Sequence, residues 1–301
     1  MNKNLNFSSK FIVANLFSVI LFSLSVLFII FKGLNYGIDF KGGTLIELRT
    51  NTNVNASSIR STLYNMNLGD VNVKKFGQEG NFLIKVEQRD SNDNKIIPKI
   101  KKDLSKNLNA EINFRRVENV GPKVSAELLE SSVIAITLSL VAMLFYIWIR
   151  FEWQFSVGSI IALFHDVVIT LGIFSVLSLE INLSIIAAAL TIVGYSMNDT
   201  VVIYDRIREN LNKYNKLTIS EIANLSINET LARTIITSVT TLLALLSIFI
   251  LGGEILRGFS FAMILGVIIG TYSSIFVASP ILKYFKVTYK TLEKEEEKIV
   301  P

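Results

Sequence analysis

Cysteine is absent from the 301-residue chain, which removes disulfides, thiolate nucleophiles and thiolate-held metals together. Histidine occurs once, at His165, so a metal site built from imidazoles is excluded and no metal or cofactor is indicated. No block of one charge sign stands out. Thirty basic and 25 acidic residues leave +5, but the basic residues are dispersed among acidic ones between apolar runs, so no nucleic-acid surface is expected. No small-x-small cleavage pattern follows the first apolar run, which is therefore read as an uncleaved helix. What the chain does have is apolar sequence: half its residues, with a mean hydropathy of +0.47, beyond what a soluble domain of this size tolerates.

A hydrocarbon core needs about 20 apolar residues in helix. Six stretches approach that length: 11–31, 129–149, 155–177, 183–204, 234–251 and 259–282. The predicted organisation is an N-terminal segment and first span over 1–31, an insert over 32–128, a bundle over 129–283 that includes a polar helical loop at 205–233, and a tail over 284–301. Lysine and arginine bias orients it. Lys3, Lys10, Arg150, Arg206, Arg208, Lys213, Lys216, Arg233, Lys283, Lys286 and Lys290 fall on one side, against Glu180, Glu254 and Arg257 on the other. Both termini are expected in the cytoplasm and the insert outside, in a multi-pass protein of the plasma (inner) membrane.

Within the insert, strands are predicted at 44–50, 71–76, 81–87 and 111–117 and helices at 56–66 and 96–108. The order βαββαβ fits a ferredoxin-like α+β fold, one antiparallel sheet with both helices on one face. The tail from Thr291, with Glu293, Glu295, Glu296 and Glu297 among lysines, reads as a solvated, partly disordered end.

An ionisable residue at the centre of a span costs about 2.5–3.5 kcal/mol on insertion scales and so needs a partner or a function. Asp199 lies in the fourth span, on a helix where Ala187, Thr191, Gly194 and Asn198 make one small, polar face. The fifth span opens with Arg233, and Thr237 and Thr241 continue its stripe, expected to point into the bundle. The third span adds His165 and Asp166, on the face that carries Gly158 and Ala162. Each has a plainer reading: Asp199 as a structural hydrogen-bonding group, Arg233 as a snorkelling headgroup contact, His165–Asp166 as a local pair. Asp205, Arg206, Arg208 and Glu209 read as a solvated or partner-facing helix end. Gly258, Ala262, Gly266, Gly270, Ser274 and Ala278, spaced by four in the sixth span, form a small-residue stripe for close helix packing.

Two runs are distinctive: Gly37-Ile38-Asp39-Phe40-Lys41-Gly42-Gly43 after the first span, and Gly194-Tyr195-Ser196-Met197-Asn198-Asp199-Thr200 continuing to Glu209. With Gly121-Pro122-Lys123, His165-Asp166-Val167, Arg233-Thr234 and Gly252-Gly253, they make the chain resemble, nearly end to end, the SecF family of the bacterial Sec accessory complex. That resemblance implies a half-bundle of the resistance-nodulation-division type, paired with a SecD-like subunit and working with the SecYEG channel and the SecA motor. It also implies use of a proton or sodium gradient to draw a translocating polypeptide outward. Carried onto these residues, the coupling acid falls on Asp199 and its basic partner on Arg233, with Asn198, Thr237, Thr241, Asp166 and His165 around them. Gly37, Asp39, Gly42 and Gly43 would tie the insert to the first span. No enzymatic activity is expected. Two other classes stand beside this one: a passive scaffold for translocating chains, and an intramembrane aspartyl protease using Asp166 and Asp199. The second lacks the Gly-x-Gly-Asp run such enzymes normally show, because Asp199 follows Ser196-Met197-Asn198.

Overall fold

The computed structural model describes residues 5–51, 54–66, 68, 71–75, 79–86, 96–108, 110–289 and 291. Among the described residues, six helices are long and apolar enough to cross a membrane. They are α1 (Phe11–Phe31), α5 (Pro122–Arg150), α6 (Trp153–Val176), α7 (Leu183–Lys213), α8 (Ile219–Leu251) and a final broken one. That last span runs as α9 (Gly253–Ser273), a π-helical turn (Ser274–Ala278) and α10 (Ser279–Tyr284). Pro280 explains the break: it has no N–H to give to the preceding turn, and the Ser279 hydroxyl instead reaches the Ser274 carbonyl at 2.9 Å.

Local chemistry sets the helix ends. Beyond α1, Gly33 adopts φ +76° and its N–H meets the Ile29 carbonyl at 3.1 Å, a left-handed stop that glycine makes without a steric penalty. Beyond α6, Ser178 takes φ +53° and the Leu179 N–H returns to the Phe174 carbonyl at 2.9 Å, a Schellman ending. Helix α8 starts on a reciprocal capping box between Thr218 and Glu221.

The membrane helices α6 and α7 and the last span form the inner layer. Helix α6 is mostly buried, whereas α1, α5 and α8 are largely uncovered. Glycine allows the closest approach. A Cβ on Gly172 of α6 would lie 2.7 Å from the Cα of Ser25 and 2.3 Å from its Cβ, so α1 rests directly on the α6 backbone there.

A second compact unit comprises Tyr36–Ile134 together with Glu180–Leu183. Its sheet has the order β3 (Val71–Lys75), β4 (Asn81–Val86), β2 (Gly43–Thr50), β5 (Ile112–Val120), every neighbour antiparallel, which is the ferredoxin-like order. Helices α3 (Ala56–Tyr64) and α4 (Ile96–Leu108) cover it: Ile59, Leu63, Ile100 and Leu104 are fully buried with Ile46, Leu48, Phe82 and Ile84 of the central strands. A bulge between Glu47 and Leu48 leaves Arg115 without a β2 partner, and β5 runs on to Val120, past the predicted end at 117. The described residues also form a 3-10 turn (Ser8–Lys10), a single-turn helix, α2 (Ile38–Lys41), and a two-stranded ribbon, β1 (Asn35–Tyr36) with β6 (Glu180–Ile181). Predicted strand ends at Phe76 and Glu87, the tail acids from Glu293 on, and Lys3 and Lys290 lie outside the described residues.

Substitution at the α1–α6 crossing tests this packing. Gly172→Ala must push two helix backbones apart and is expected to cost about 1–3 kcal/mol, read as a lower melting temperature in detergent. Gly194→Ala, whose Cβ would meet nothing within 4 Å, is expected to leave the melting of the isolated chain unchanged.

Candidate functional site

The small-residue stripe of the last span lies against α7 and makes a polar seam possible. A Cβ on Gly266 would lie 2.2 Å from Ile192 Cγ1, and one on Gly270 would lie 2.9 Å from Ser196 Cβ. Gly258 faces Ile185 at an ordinary 3.4 Å. Further along, Ser274 Oγ and Thr200 Oγ1 share a hydrogen bond of 2.8 Å, and the Tyr204 hydroxyl donates to the Ala278 carbonyl at 2.9 Å. Ala262, fully buried, completes the contact face. With no bulk between them, the hydroxyls of both helices reach each other and the third helix, α6.

Two carboxylates sit in this seam with different surroundings. Asp166 of α6 is fully buried and well supplied with donors: Ser196 of α7 at 2.6 Å and Ser273 of α9 at 2.7 Å, both to Oδ2. Its other oxygen contacts His165 Nδ1 at 2.9 Å, while the imidazole stacks on Phe22 with ring centroids 6.4 Å apart. Asp199 of α7 is 2% exposed and more loosely held. Thr271 of α9 donates to it at 3.3 Å, and Thr271 in turn shares a 2.8 Å hydrogen bond with Ser238 of α8. Among the described residues no Lys, Arg or His nitrogen forms an ion pair with Asp199. Nor do the two carboxylates bond to each other: each has its own hydroxyls.

Helix α8 presents a different stripe from the expected one. Thr234 and Ser238 are its buried residues at this level, one position on from Arg233 and Thr237, because a single residue turns the helix by about 100°. Arg233 is exposed on the chain, Thr241 is half-buried, and Thr237 spends its hydroxyl on the carbonyls of Arg233 and Thr234. The face of Ala187, Thr191, Gly194 and Asn198 is also exposed, so in this chain the small, polar side of α7 points away from the bundle. Asp199, one position further round, points in.

At the end of α7 the charged residues are engaged. Arg206 pairs with Glu229 at 2.6 Å and with Glu209 at 2.5 Å, Arg208 with the buried Glu152 at 3.1 Å, and Arg150 with Asp205 at 3.4 Å. Gly37, Asp39, Gly42 and Gly43 belong to the second unit. Gly42 and Gly43 there take φ +79° and +134°, left-handed geometry that a side chain would strain, as the chain leaves α2 for β2. Sequence reasoning did not assign Ser196, Ser238, Thr271 or Ser273. The signal available was a hydroxyl inside a span, next to the glycine stripe in two of the four cases. Among the described residues no three His, Asp or Glu side chains cluster as metal ligands.

Comparison with known proteins agrees with this architecture. Residues 100–288 match the family described as "Protein export membrane protein SecD/SecF, C-terminal", and residues 27–54 match the "SecD/SecF GG Motif". The protein translocase subunit SecF of Rickettsia rickettsii is 46% identical over 94% of this chain and 93% of its own. SecF of Rickettsia bellii is 48% identical over 91% and 90%, and that of Cereibacter sphaeroides 42% over 90% and 86%. Among solved structures, SecDF of Thermus thermophilus, a translocon-associated membrane protein, superposes with a TM-score of 0.85 and 37% identity over 94% of this chain. SecDF in a super-membrane-facing form gives 0.70 and 36% over 98%. The chain spans 38% and 40% of those two structures' chains. A six-helix membrane chain with this insert, this seam and nearly full-length kinship to the translocase subunits belongs to the SecD/SecF family of protein-export membrane proteins, on its SecF side.

Proposed function

We propose that the chain pairs with a SecD-like subunit, alongside SecYEG and SecA, and couples a proton or sodium gradient to the outward movement of unfolded polypeptide. The observation that carries this reading is Asp199: a carboxylate 2% exposed inside a span, held at 3.3 Å by Thr271, with no ion pair among the described residues. Asp166 offers the contrast. Three polar contacts hold it, which suits a fixed structural acid, whereas a carboxylate held loosely by the hydroxyls of Thr271 and Ser238 can lose or gain a cation or proton without dismantling a network. His165 sits on the Asp166 side of this division, holding that carboxylate's second oxygen.

In this reading Arg233 is the basic partner that Asp199 meets in one state and leaves in another. Burial disfavours the ionised carboxylate and a guanidinium restores it, so a modest helix movement changes which form is stable. One charge crossing 100 mV yields about 2.3 kcal/mol, enough for a shift of about fiftyfold between two conformations. Thr271 and Ser238 link Asp199 to α9 and α8, so a change at the acid is felt by both neighbours. The outward face of Thr191, Gly194 and Asn198 is where the SecD-like subunit would lie. A small polar helix face gains little from lipid and much from a closely approaching helix.

The orientation follows the charge bias, with both termini cytoplasmic. Because the chain has no cysteine, single ones report its sidedness cleanly. Ser57→Cys in the insert should react with an impermeant maleimide added from outside, and Asn215→Cys, in the turn after α7, only after permeabilisation; the reverse pattern would invert the topology. For the coupling itself, the complex with Asp199→Asn in inverted vesicles should assemble normally but lose the gradient-stimulated part of export by at least about tenfold. Varying pH and sodium gradients separately identifies the ion. Undiminished stimulation in the Asp199→Asn complex would remove the coupling role.

A further inference from the structure

Between α1, α6 and the last span the bundle holds a cavity of about 530 Å³, a size common among ligand sites. Val19 and Phe22 of α1, Ile160 and Phe164 of α6, and Ile281 and Tyr284 of the last span line it, and nearly all of its wall is apolar. Val19, Phe164 and Tyr284 are exposed on the outside of the bundle, so the cavity opens toward lipid.

Its depth points to the occupant. Trp153, the first residue of α6, and Phe285, next to Tyr284, meet with ring centroids 5.5 Å apart, so the start of α6 and the end of the last span lie at one level. Exposed tryptophan and tyrosine side chains at that level mark a membrane–water interface. His165, the lining residue deepest in α6, lies twelve residues beyond Trp153, about 18 Å at 1.5 Å per residue, against about 15 Å for half a hydrocarbon core. The cavity therefore runs from the interface to the middle of the membrane, the range that one acyl chain occupies. Charge stands at the shallow end. Lys283 and Lys286 flank Tyr284, Lys10 ends the 3-10 turn before α1, and all three are exposed. Among the described residues none of them forms an ion pair. Asn15, five residues after Lys10, adds an amide to the cavity wall about 7 Å further in, the step from a lipid phosphate to its ester carbonyls.

We propose that this cavity is a site for one anionic phospholipid of the leaflet on the side of both chain ends. One acyl chain lies between α1, α6 and the last span, the Asn15 amide donates to an ester carbonyl, and Lys10, Lys283 and Lys286 hold the headgroup. The chain fills the space beside the His165–Asp166 pair and keeps water from it. The site requires only that the bundle lies in a membrane, so it stands whether or not Asp199 couples an ion.

Native mass spectrometry tests the binding. The full-length chain, stripped of lipid in detergent and offered phosphatidylglycerol and phosphatidylcholine with identical acyl chains, should retain one phosphatidylglycerol. Its preference should be at least about tenfold, since one lysine beside an anionic lipid is worth about fivefold in affinity. Lys283→Gln combined with Lys286→Gln should bring the two lipids to within about fivefold of each other. Val19→Trp, at the exposed rim, should fill the mouth and remove the retained lipid without lowering the melting temperature. Photolabelling tests the position: phosphatidylglycerol with a diazirine at the end of one acyl chain, in vesicles holding the assembled complex, should label peptides containing residues 19–22 and 160–165. If Val19→Trp melts early, the labelling decides. Equal retention of the two lipids by the unchanged chain, a preference that survives loss of both lysines, full retention in a stable Val19→Trp chain, or label spread evenly over all six spans would each overturn the site. So would label found at these peptides in the isolated chain and lost in the complex, which would give the cavity to the partner subunit.

Discussion

Hydrocarbon offers no hydrogen-bond partner, and that constraint sorts most of the polar side chains in the bundle. Most hydroxyls solve it locally by returning to the carbonyl one turn back, as Ser159 does to Phe155 at 2.9 Å, Thr170 to Asp166 at 2.8 Å and Thr230 to Ser226 at 2.8 Å. A carboxylate has no such recourse, since it carries no donor when ionised and no backbone N–H is free inside a helix. It must be served from other helices, and those helices must come close. The glycines at 266 and 270 supply that closeness, so the packing stripe and the acidic site are one feature seen from two sides.

Much of this was legible in the sequence, and the parts that were not share a cause. The first apolar stretch, 11–31, coincides with helix α1 at both ends, whereas α7, α8 and α5 each extend beyond their apolar stretches. Hydropathy reports the solvent, not the helix; the true start of α8 is marked by the Thr218–Glu221 capping box. The sheet order of the insert followed from its element order, but a two-residue strand such as β6 has no pattern to detect. The serine partners of Asp166 come from α7 and α9, 30 and 107 positions away, distances that no local spacing encodes. The expected inward stripe of α8 missed by one residue. In a helix apolar almost all round, nothing in the periodicity says which side faces in.

The two intramembrane acids therefore differ by surroundings rather than by kind. Asp166 is bound into its neighbours, and moving α6, α7 or α9 independently would break short hydrogen bonds. Asp199 sits one helical turn away from Ser196, where the contact is longer and the helix borders the exposed face. Under the proposed coupling, a clamp beside a loosely held acid would let a charge change at the second site tilt helices without unpacking the first.

The same reasoning extends to the exposed sides of the bundle. Helices α1, α5 and α8 are largely uncovered, and for their apolar residues lipid is an adequate solvent. For Thr191, Gly194 and Asn198 it is not. The amide of Asn198 facing hydrocarbon would forfeit several hydrogen bonds, while the glycine beside it leaves room for another backbone. Since Asp199 follows Asn198 directly on α7, whatever covers that face stands next to the acid. Under the proposed pairing, the boundary between the two subunits and the ion-coupling site coincide, and the energy of an ion exchanged at Asp199 is released where two half-bundles can move against each other.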